Sequence, residues 1–249
     1  MHEGVRAVIL AGGRGRRLEP YTSVLPKPLM PVGDRAIVEI IVDRLVEYGI
    51  TDITLCVGYL AHLIEALFNG RPRGARMTYV HEDSPLGTAG PLRLVDGLES
   101  TFLVMNGDLL TDLPFNELVD LHRRAGNVLT IATHERRHVV DYGVLHTEPG
   151  ESPRLVAYDE KPEALLTVSM GIYVMEPEIV HRIPDSAYFD FPQLVQQLLD
   201  DGRRVGTFPY AGFWLDIGRR DDYEAALEQW QSEAPPPRAT VHVTDHRSV

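Results

Sequence analysis

Leu10-Ala11-Gly12-Gly13-Arg14-Gly15-Arg16-Arg17-Leu18, with Pro26-Lys27-Pro28 close behind, is the stretch that decides how this chain is read. It follows residues 5–10 (VRAVIL), a short apolar run that predicts a buried strand. A glycine-rich turn after a strand lets bare backbone N–H groups approach a phosphate chain, because no Cβ stands in the way. Arg14, Arg16, Arg17 and Lys27 add four cations to the same region. Backbone donors and cations together suit a triphosphate, whose charge is about minus four. Two better-known phosphate loops do not fit. The P-loop ends in Gly-Lys-Ser/Thr, which does not follow Gly15, and a dinucleotide fingerprint from Gly13 needs a glycine where Leu18 stands. A βα turn with a basic, solvated surface is the plain alternative.

Working outward, apolar strand-like runs alternate with helical patterns. Residues 36–48 (AIVEIIVDRLVEY) carry apolar side chains at helical spacing and stop at Gly49. Strands are expected at 53–57, 77–80, 102–105 and 128–133, and helices at 61–68 and 114–125. The alternation predicts an α/β fold, with a Rossmann-like, mostly parallel mixed sheet flanked by helices on both faces. Past residue 135, strands at 143–147, 154–158 and 166–175 predict an antiparallel extension of the same sheet. Helices are expected at 177–182, 191–200 and 221–231. One domain is expected over 1–233, and the proline-punctuated tail 234–249 is expected to be flexible or docked on a neighbour.

The formal net charge of −12 argues against bulk nucleic-acid binding or an anionic membrane surface, so the basic cluster between Arg14 and Arg35 stands out as a local anion site. The single cysteine, Cys56, cannot form an internal disulfide and fits a reducing cytoplasm. No stretch has the length of a membrane span or the form of a signal peptide.

Two aspartates stand out. Asp108 follows the strand at 102–105, at the carboxyl edge where α/β sheets place ligands, although Asn106-Gly107-Asp108 also reads as a simple turn. Asp216 sits within Phe213-Trp214-Leu215-Asp216-Ile217-Gly218, where a carboxylate between bulky apolar residues would be costly unless partnered. A divalent cation would resolve that cost, and Mg²⁺ typically takes one or two carboxylates plus phosphate oxygens. His62, His81 and His122 lack ligand spacing and are read as surface or structural residues.

Gly12-Gly13-Arg14-Gly15-Arg16-Arg17-Leu18 with Pro26-Lys27-Pro28 resembles the signature loop of the sugar-1-phosphate nucleotidyltransferases. The resemblance implies nucleotide contacts from Leu10, Ala11, Gly12, Gly13, Arg14 and Gly15. It places Arg17 in the essential arginine position, puts Arg16 where the family has Thr, and gives Lys27 a catalytic role. It also implies Mg²⁺ on Asp108 and Asp216. Tyr158-Asp159-Glu160-Lys161-Pro162 resembles the family's Glu-Lys-Pro segment, with Glu160 meeting sugar hydroxyls and Lys161 the sugar phosphate, though a solvated charged turn reads the same way. Gly143 and Gly171 resemble the two glycines where backbone meets the sugar, and Ser169 stands where the family has Asn. Strand glycines also mark bulges.

The segment Pro85-Leu86-Gly87-Thr88-Ala89-Gly90 resembles the base-binding segment as it appears in mannose-1-phosphate guanylyltransferases, implying contacts from Pro85, Gly87 and Thr88. Glu82 stands where thymidylyl- and uridylyltransferases tend to carry Gln. Guanine shows two adjacent donors that a carboxylate can accept together, whereas thymine and uracil flank one donor with carbonyls. Glu82 thus favours GTP, although a carboxylate also accepts from an amino group of adenine or cytosine, unless it simply faces solvent. The expected partners are a nucleoside triphosphate and a sugar 1-phosphate, with a homo-oligomer allowed and neither nucleic acid nor membrane involved. A thymidylyl-, uridylyl- or cytidylyltransferase, or a non-catalytic nucleotide-sugar-binding subunit, is the alternative.

Overall fold

The computed structural model describes residues 4–70, 73–185 and 187–218, together with 223, 224, 227 and 228. Of the helix expected over 221–231, the four described residues are helical; the rest, and the tail 234–249, lie outside the described residues.

In chain order the elements are β1 (Arg6–Ala11), β2 (Pro31–Val32), β3 (Arg35–Ala36), α1 (Ile37–Glu47), β4 (Asp52–Val57), α2 (Ala61–Phe68) and β5 (Arg76–His81). Next come β6 (Phe102–Asn106), β7 (Leu109–Thr111), α3 (Phe115–Ala125), β8 (Leu129–Val139), β9 (Val144–Glu148) and β10 (Arg154–Asp159). The last are β11 (Glu163–Met175), α4 (Phe191–Asp200), β12 (Val205–Pro209) and β13 (Trp214–Asp216). Seven strands form the main sheet in the order β12-β8-β11-β6-β1-β4-β5. All neighbours in it run parallel except β11, which pairs antiparallel with both β6 and β8.

Side-chain alternation along β1 builds the core on both sides. Ala7, Ile9 and Ala11 face a cluster with α1, α2 and α3, through Ile37, Ile41, Leu45, Ile64, Phe115 and Leu118. Val8, with Cys56 and Val104 from the neighbouring strands, faces the opposite cluster with Leu92, Ile179, Leu194 and Leu198, the last two from α4. Strands covered on both faces read as continuous apolar runs, which is why residues 5–10 and 53–57 were recognisable.

Three expectations are corrected, and one strand is added. The strands at 143–147 and 154–158 do not extend the main sheet; β9 and β10 form a separate two-stranded ribbon. β8 and β11 run further than expected, and their outer halves make an exposed antiparallel arm. The 177–182 segment is a 3-10 helix. β12 went unrecognised because it contains Gly206 and Pro209, and it is tolerated because it is an edge strand.

Candidate active site

The chain leaves β1 for β4 on one side and later returns to β6 on the other, so the carboxyl ends of β1 and β6 flank a topological switch point. Open α/β sheets bind ligands there. The arginine loop leaves β1 at this point, and Asp108 follows β6 beside it. The Gly107 amide donates to the Leu10 carbonyl at 2.9 Å, locking the two loops together. Gly15 has φ +62°, left-handed backbone that favours glycine, and its carbonyl accepts from the Leu18 amide and the Thr22 hydroxyl at 2.9 Å each. The turn that results leaves Arg14, Arg16 and Arg17 exposed; Arg14 lies over the Tyr59 ring at 5.4 Å. Neither Arg16 nor Arg17 makes an ion pair with the described residues, so both guanidinium groups are available to an anion.

Lys27, nearly buried, reaches the Asp108 carboxylate directly. The other carboxylate oxygen of Asp108, Oδ1, is buried and has no hydrogen-bond partner. Asp216 arrives from the far end of the chain. β13 pairs with β7 in the register Asp216↔Leu109, and the Ile217 amide donates to the Asp108 carbonyl at 3.1 Å. The backbone at Asp108 is thereby joined to the backbone at Ile217, one residue from Asp216. Asp216 is exposed, contrary to the expectation of a carboxylate enclosed by apolar neighbours; Ile217, its neighbour in sequence, is the buried one. An orphaned buried oxygen on Asp108, with the exposed Asp216 on the strand joined to it, fits a divalent cation that completes its shell with phosphate oxygens and water. Among the described residues no group of three or more His, Cys, Asp or Glu is placed to hold a metal ion.

Glu82 lies over the glycine loop. A Cβ at Gly12 would overlap its carboxylate, and its Oε2 accepts from the Leu86 amide at 3.2 Å. Burial raises the Glu82 carboxyl above its ordinary value, while the bond from Leu86 works the other way. Pro85, Gly87 and Thr88 follow in the same loop, but the Thr88 hydroxyl is engaged by Asp190 and Phe191 rather than facing the glycine turn.

The sugar-side residues divide. Gly171, at φ +72°, sits so close to Asn106 that a Cβ would stand 2.5 Å from Nδ2, tying β11 to the Asn-Gly-Asp turn. Ser169 Oγ accepts from the Gly171 amide at 3.3 Å. Glu160 and Lys161 lie instead at the tip of the exposed arm. Tyr158 donates to Glu160 at 2.5 Å and its ring fills the space a side chain at Gly143 would need. Lys161, at φ +47°, pairs with Asp141 at 3.0 Å. At about 3.3 Å per residue of strand, Glu163 is some 20 Å along β11 from Ser169. The structure therefore gathers Arg17, Lys27, Asp108, Asp216, Glu82 and Gly171 at one edge, and leaves Gly143, Glu160 and Lys161 on an arm that reaches outward. His122 is fully buried and bonded to Thr130 and Glu176, a structural residue and not a surface one. Trp214 was missed: its indole Nε1 donates to the Met170 carbonyl at 3.1 Å, and Arg136 lies over its ring at 5.3 Å. Only the pairing of distant segments brings these together, so no local signal announces them.

The nucleotidyl transferase family profile matches residues 6–233. The chain belongs to the nucleotidyl transferase family. Its similarity to a mannose-1-phosphate guanyltransferase of Aspergillus oryzae is 34% identity over 227 residues, covering 88% of this chain and 62% of that protein. The chain thus spans under two thirds of the length of such relatives. Among solved structures, a Bacillus anthracis protein assigned as a glucose-1-phosphate thymidylyltransferase, solved with sucrose, superposes with a TM-score of 0.72 at 22% identity, over 92% of this chain and 96% of that one. HddC from Yersinia pseudotuberculosis, solved with GMP-PN, gives 0.68 at 23% identity over 91% and 99%. These likenesses establish the nucleotidyl transferase fold. Members of the family work with a divalent metal. No helix among the described residues is long and apolar enough to cross a membrane.

Proposed function

We propose that the chain transfers a nucleoside monophosphate, GMP by preference, from a nucleoside triphosphate to a sugar 1-phosphate and releases pyrophosphate. The observation that supports this is the pairing of β7 with β13, which brings the strand bearing Asp216 against the backbone of Asp108, next to the arginine loop. The guanyltransferase relatives support the base and the sugar phosphate.

In this reading an oxygen of the sugar phosphate attacks the α-phosphorus in line with the departing pyrophosphate, so no protein nucleophile is required. The chain's contribution is position and charge. Gly12, Gly13 and Gly15 let the backbone close on the triphosphate, with Arg14 at the rim. Arg17 faces the pyrophosphate as its charge develops. Lys27 holds Asp108 and, with Arg17, stabilises charge on the triphosphate and the departing pyrophosphate. Asp108 and Asp216 would hold Mg²⁺, which when bound draws charge from the α-phosphate and screens the incoming phosphate. Glu82, suspended over Gly12, accepts the two donors of guanine, flanked by Leu10, Ala11, Pro85 and Gly87. Gly171 and Ser169 meet the sugar. Gly143, Glu160 and Lys161 join them by inward movement of the arm, Glu160 accepting sugar hydroxyls and Lys161 pairing with the sugar phosphate.

Raised by burial, Glu82 also favours a second base at low pH. Once protonated it carries an O–H donor and an acceptor, a pattern that suits thymine or uracil better than guanine. The test is pyrophosphate release from GTP, ATP, CTP, UTP and dTTP, each paired with several sugar 1-phosphates, at neutral and mildly acid pH. The expected result is fastest turnover with GTP at neutral pH. Fastest turnover with a pyrimidine nucleotide at neutral pH would overturn the base assignment, and release with no sugar phosphate present would overturn the acceptor.

A further inference from the structure

The first turn of α4 touches both halves of the site without lining either. Asp190, its N-cap residue, accepts from Thr88 twice through Oδ1: from the amide at 2.8 Å and from the hydroxyl at 3.0 Å. The Phe191 amide donates back to the Thr88 hydroxyl at 2.9 Å. One residue earlier, the Phe189 carbonyl accepts from the amides of Ala89 and Gly90, and its own amide donates to the Leu86 carbonyl, all at 2.9 Å. Gly87 is at φ +82°, and a Cβ there would stand 2.7 Å from the Phe189 carbonyl oxygen and 2.8 Å from Asp190 Oδ1. The loop therefore lies flat on the 189–191 segment. Asp190 is itself fixed, since its amide donates to Gln193 Oε1 at 2.8 Å.

The opposite side of the same turn leads to the sugar strand. The Phe191 ring stacks on Tyr173 with centroids 4.1 Å apart and planes 8° from parallel. The Tyr173 hydroxyl accepts from Ser169 Oγ at 3.3 Å, and Ser169 Oγ accepts from the Gly171 amide. At the other end of the base loop, Leu86 holds Glu82. A single helical turn thus braces the loop that carries Glu82 and the strand that carries Ser169 and Gly171.

We propose that Asp190 and Phe191 are positioning residues for the two substrates: Asp190 sets the nucleotide base through Thr88 and the 85–90 loop, and Phe191 sets the sugar through Tyr173 and Ser169. The assignment rests on the guanylyl-transfer reading of the site. Neither side chain touches reacting atoms, so each change moves a substrate's KM and spares kcat.

The test is steady-state kinetics with GTP and mannose 1-phosphate as probes, alongside titration calorimetry of GTP alone. Asp190→Ala is expected to raise the KM and the calorimetric Kd for GTP about tenfold while leaving the KM for the sugar phosphate within about threefold. Asp190→Asn keeps an acceptor oxygen and is expected to restore GTP binding to near wild type. Phe191→Leu keeps the apolar volume and loses the flat stack, so it is expected to raise the sugar phosphate KM severalfold and leave GTP unchanged. Equal shifts of both KM values in both variants would overturn the proposal, since that is general loosening. So would failure of the Asn variant to rescue. If Asp190→Ala does not fold, Thr88→Val reads the same contact, with the same expected rise in Kd for GTP. A wild-type enzyme that binds GTP but turns over with no sugar phosphate would sink the substrate reading; the calorimetric comparison of Asp190→Ala with wild type would still decide the role of Asp190.

Discussion

Asp108 and Asp216 differ in surroundings, and the difference shows how each should fail. Asp108 has one oxygen on Lys27 and the other buried without a partner, so Asp108→Asn removes a charge from an enclosed place. Asp216 is exposed, so Asp216→Asn leaves packing untouched. Both variants should retain less than about a tenth of the wild-type rate at saturating Mg²⁺. Substantial turnover by either would refute the paired-aspartate reading. In the loop, Arg17→Ala should cut kcat at least about a hundredfold, whereas Arg16→Thr should stay within a fewfold. Reversed results would shift the essential arginine by one position.

Glu82 adds a pH dependence whose sign is fixed. Burial raises its carboxyl, so the neutral form persists to higher pH than for a free carboxylic acid. The fold is favoured by the proton, and stability from this group is lost as pH rises through that raised value. Guanine recognition needs the opposite, ionised form. The preference for GTP over dTTP should therefore shrink as pH falls from 7 toward the carboxylate range. Glu82→Gln should show a flat, roughly tenfold smaller preference across the same interval. Equal slopes in kcat/KM for wild type and variant would remove Glu82 from base reading.

At the scale of elements, what the sequence revealed depended on burial. β1, β4 and β6, covered on both faces, announced themselves as apolar runs, and α1 by its spacing and by Gly49, which takes φ +78° just beyond it. The outer halves of β8 and β11 did not, because exposed strands are under no compositional demand from a core. The same rule divides the site. The arginine loop, Asp108 and Glu82 each sit in a recognisable local motif just after a strand, although their partners in space are distant in sequence. Trp214, Asn106 and Asp190 act through contacts across the chain and carry no local signature. His122 on α3 belongs to the latter group. Its Nδ1 meets Thr130 Oγ1 at 2.8 Å and its Nε2 meets Glu176 at 3.0 Å, while Thr101 also donates to Glu176 at 2.7 Å. Burial lowers the affinity of His122 for a proton, against the raising effect of Glu176. The unfolded chain therefore takes up a proton first as pH falls below about 6.5, and stability drops through that window. Denaturant midpoints at pH 7 and 5.5 should differ less for His122→Gln than for the wild type.

At the scale of the molecule, the β9–β10 ribbon and the outer arm are exposed on every side, with Leu145, Leu155, Tyr158 and Leu165 each at least half exposed. Two-stranded ribbons are only marginally stable alone. Limited proteolysis should cut first in the exposed turn 149–153, and mannose 1-phosphate with GTP should slow that cut if the arm closes over the sugar. An unchanged rate would leave Glu160 and Lys161 without a route to the site. The β7–β13 pairing has another consequence, one that concerns synthesis. Residues 109–111 wait for partners more than a hundred positions later, and β6 and β8 both wait for β11 to enter the slot between them. A chain emerging from the ribosome holds its phosphate loop and first aspartate well before it holds the second. On the function proposed above, the base loop lacks its brace until residues 189–191 are made and Asp108 lacks its neighbouring strand until 214–216, so competence would arrive only with the closing strand.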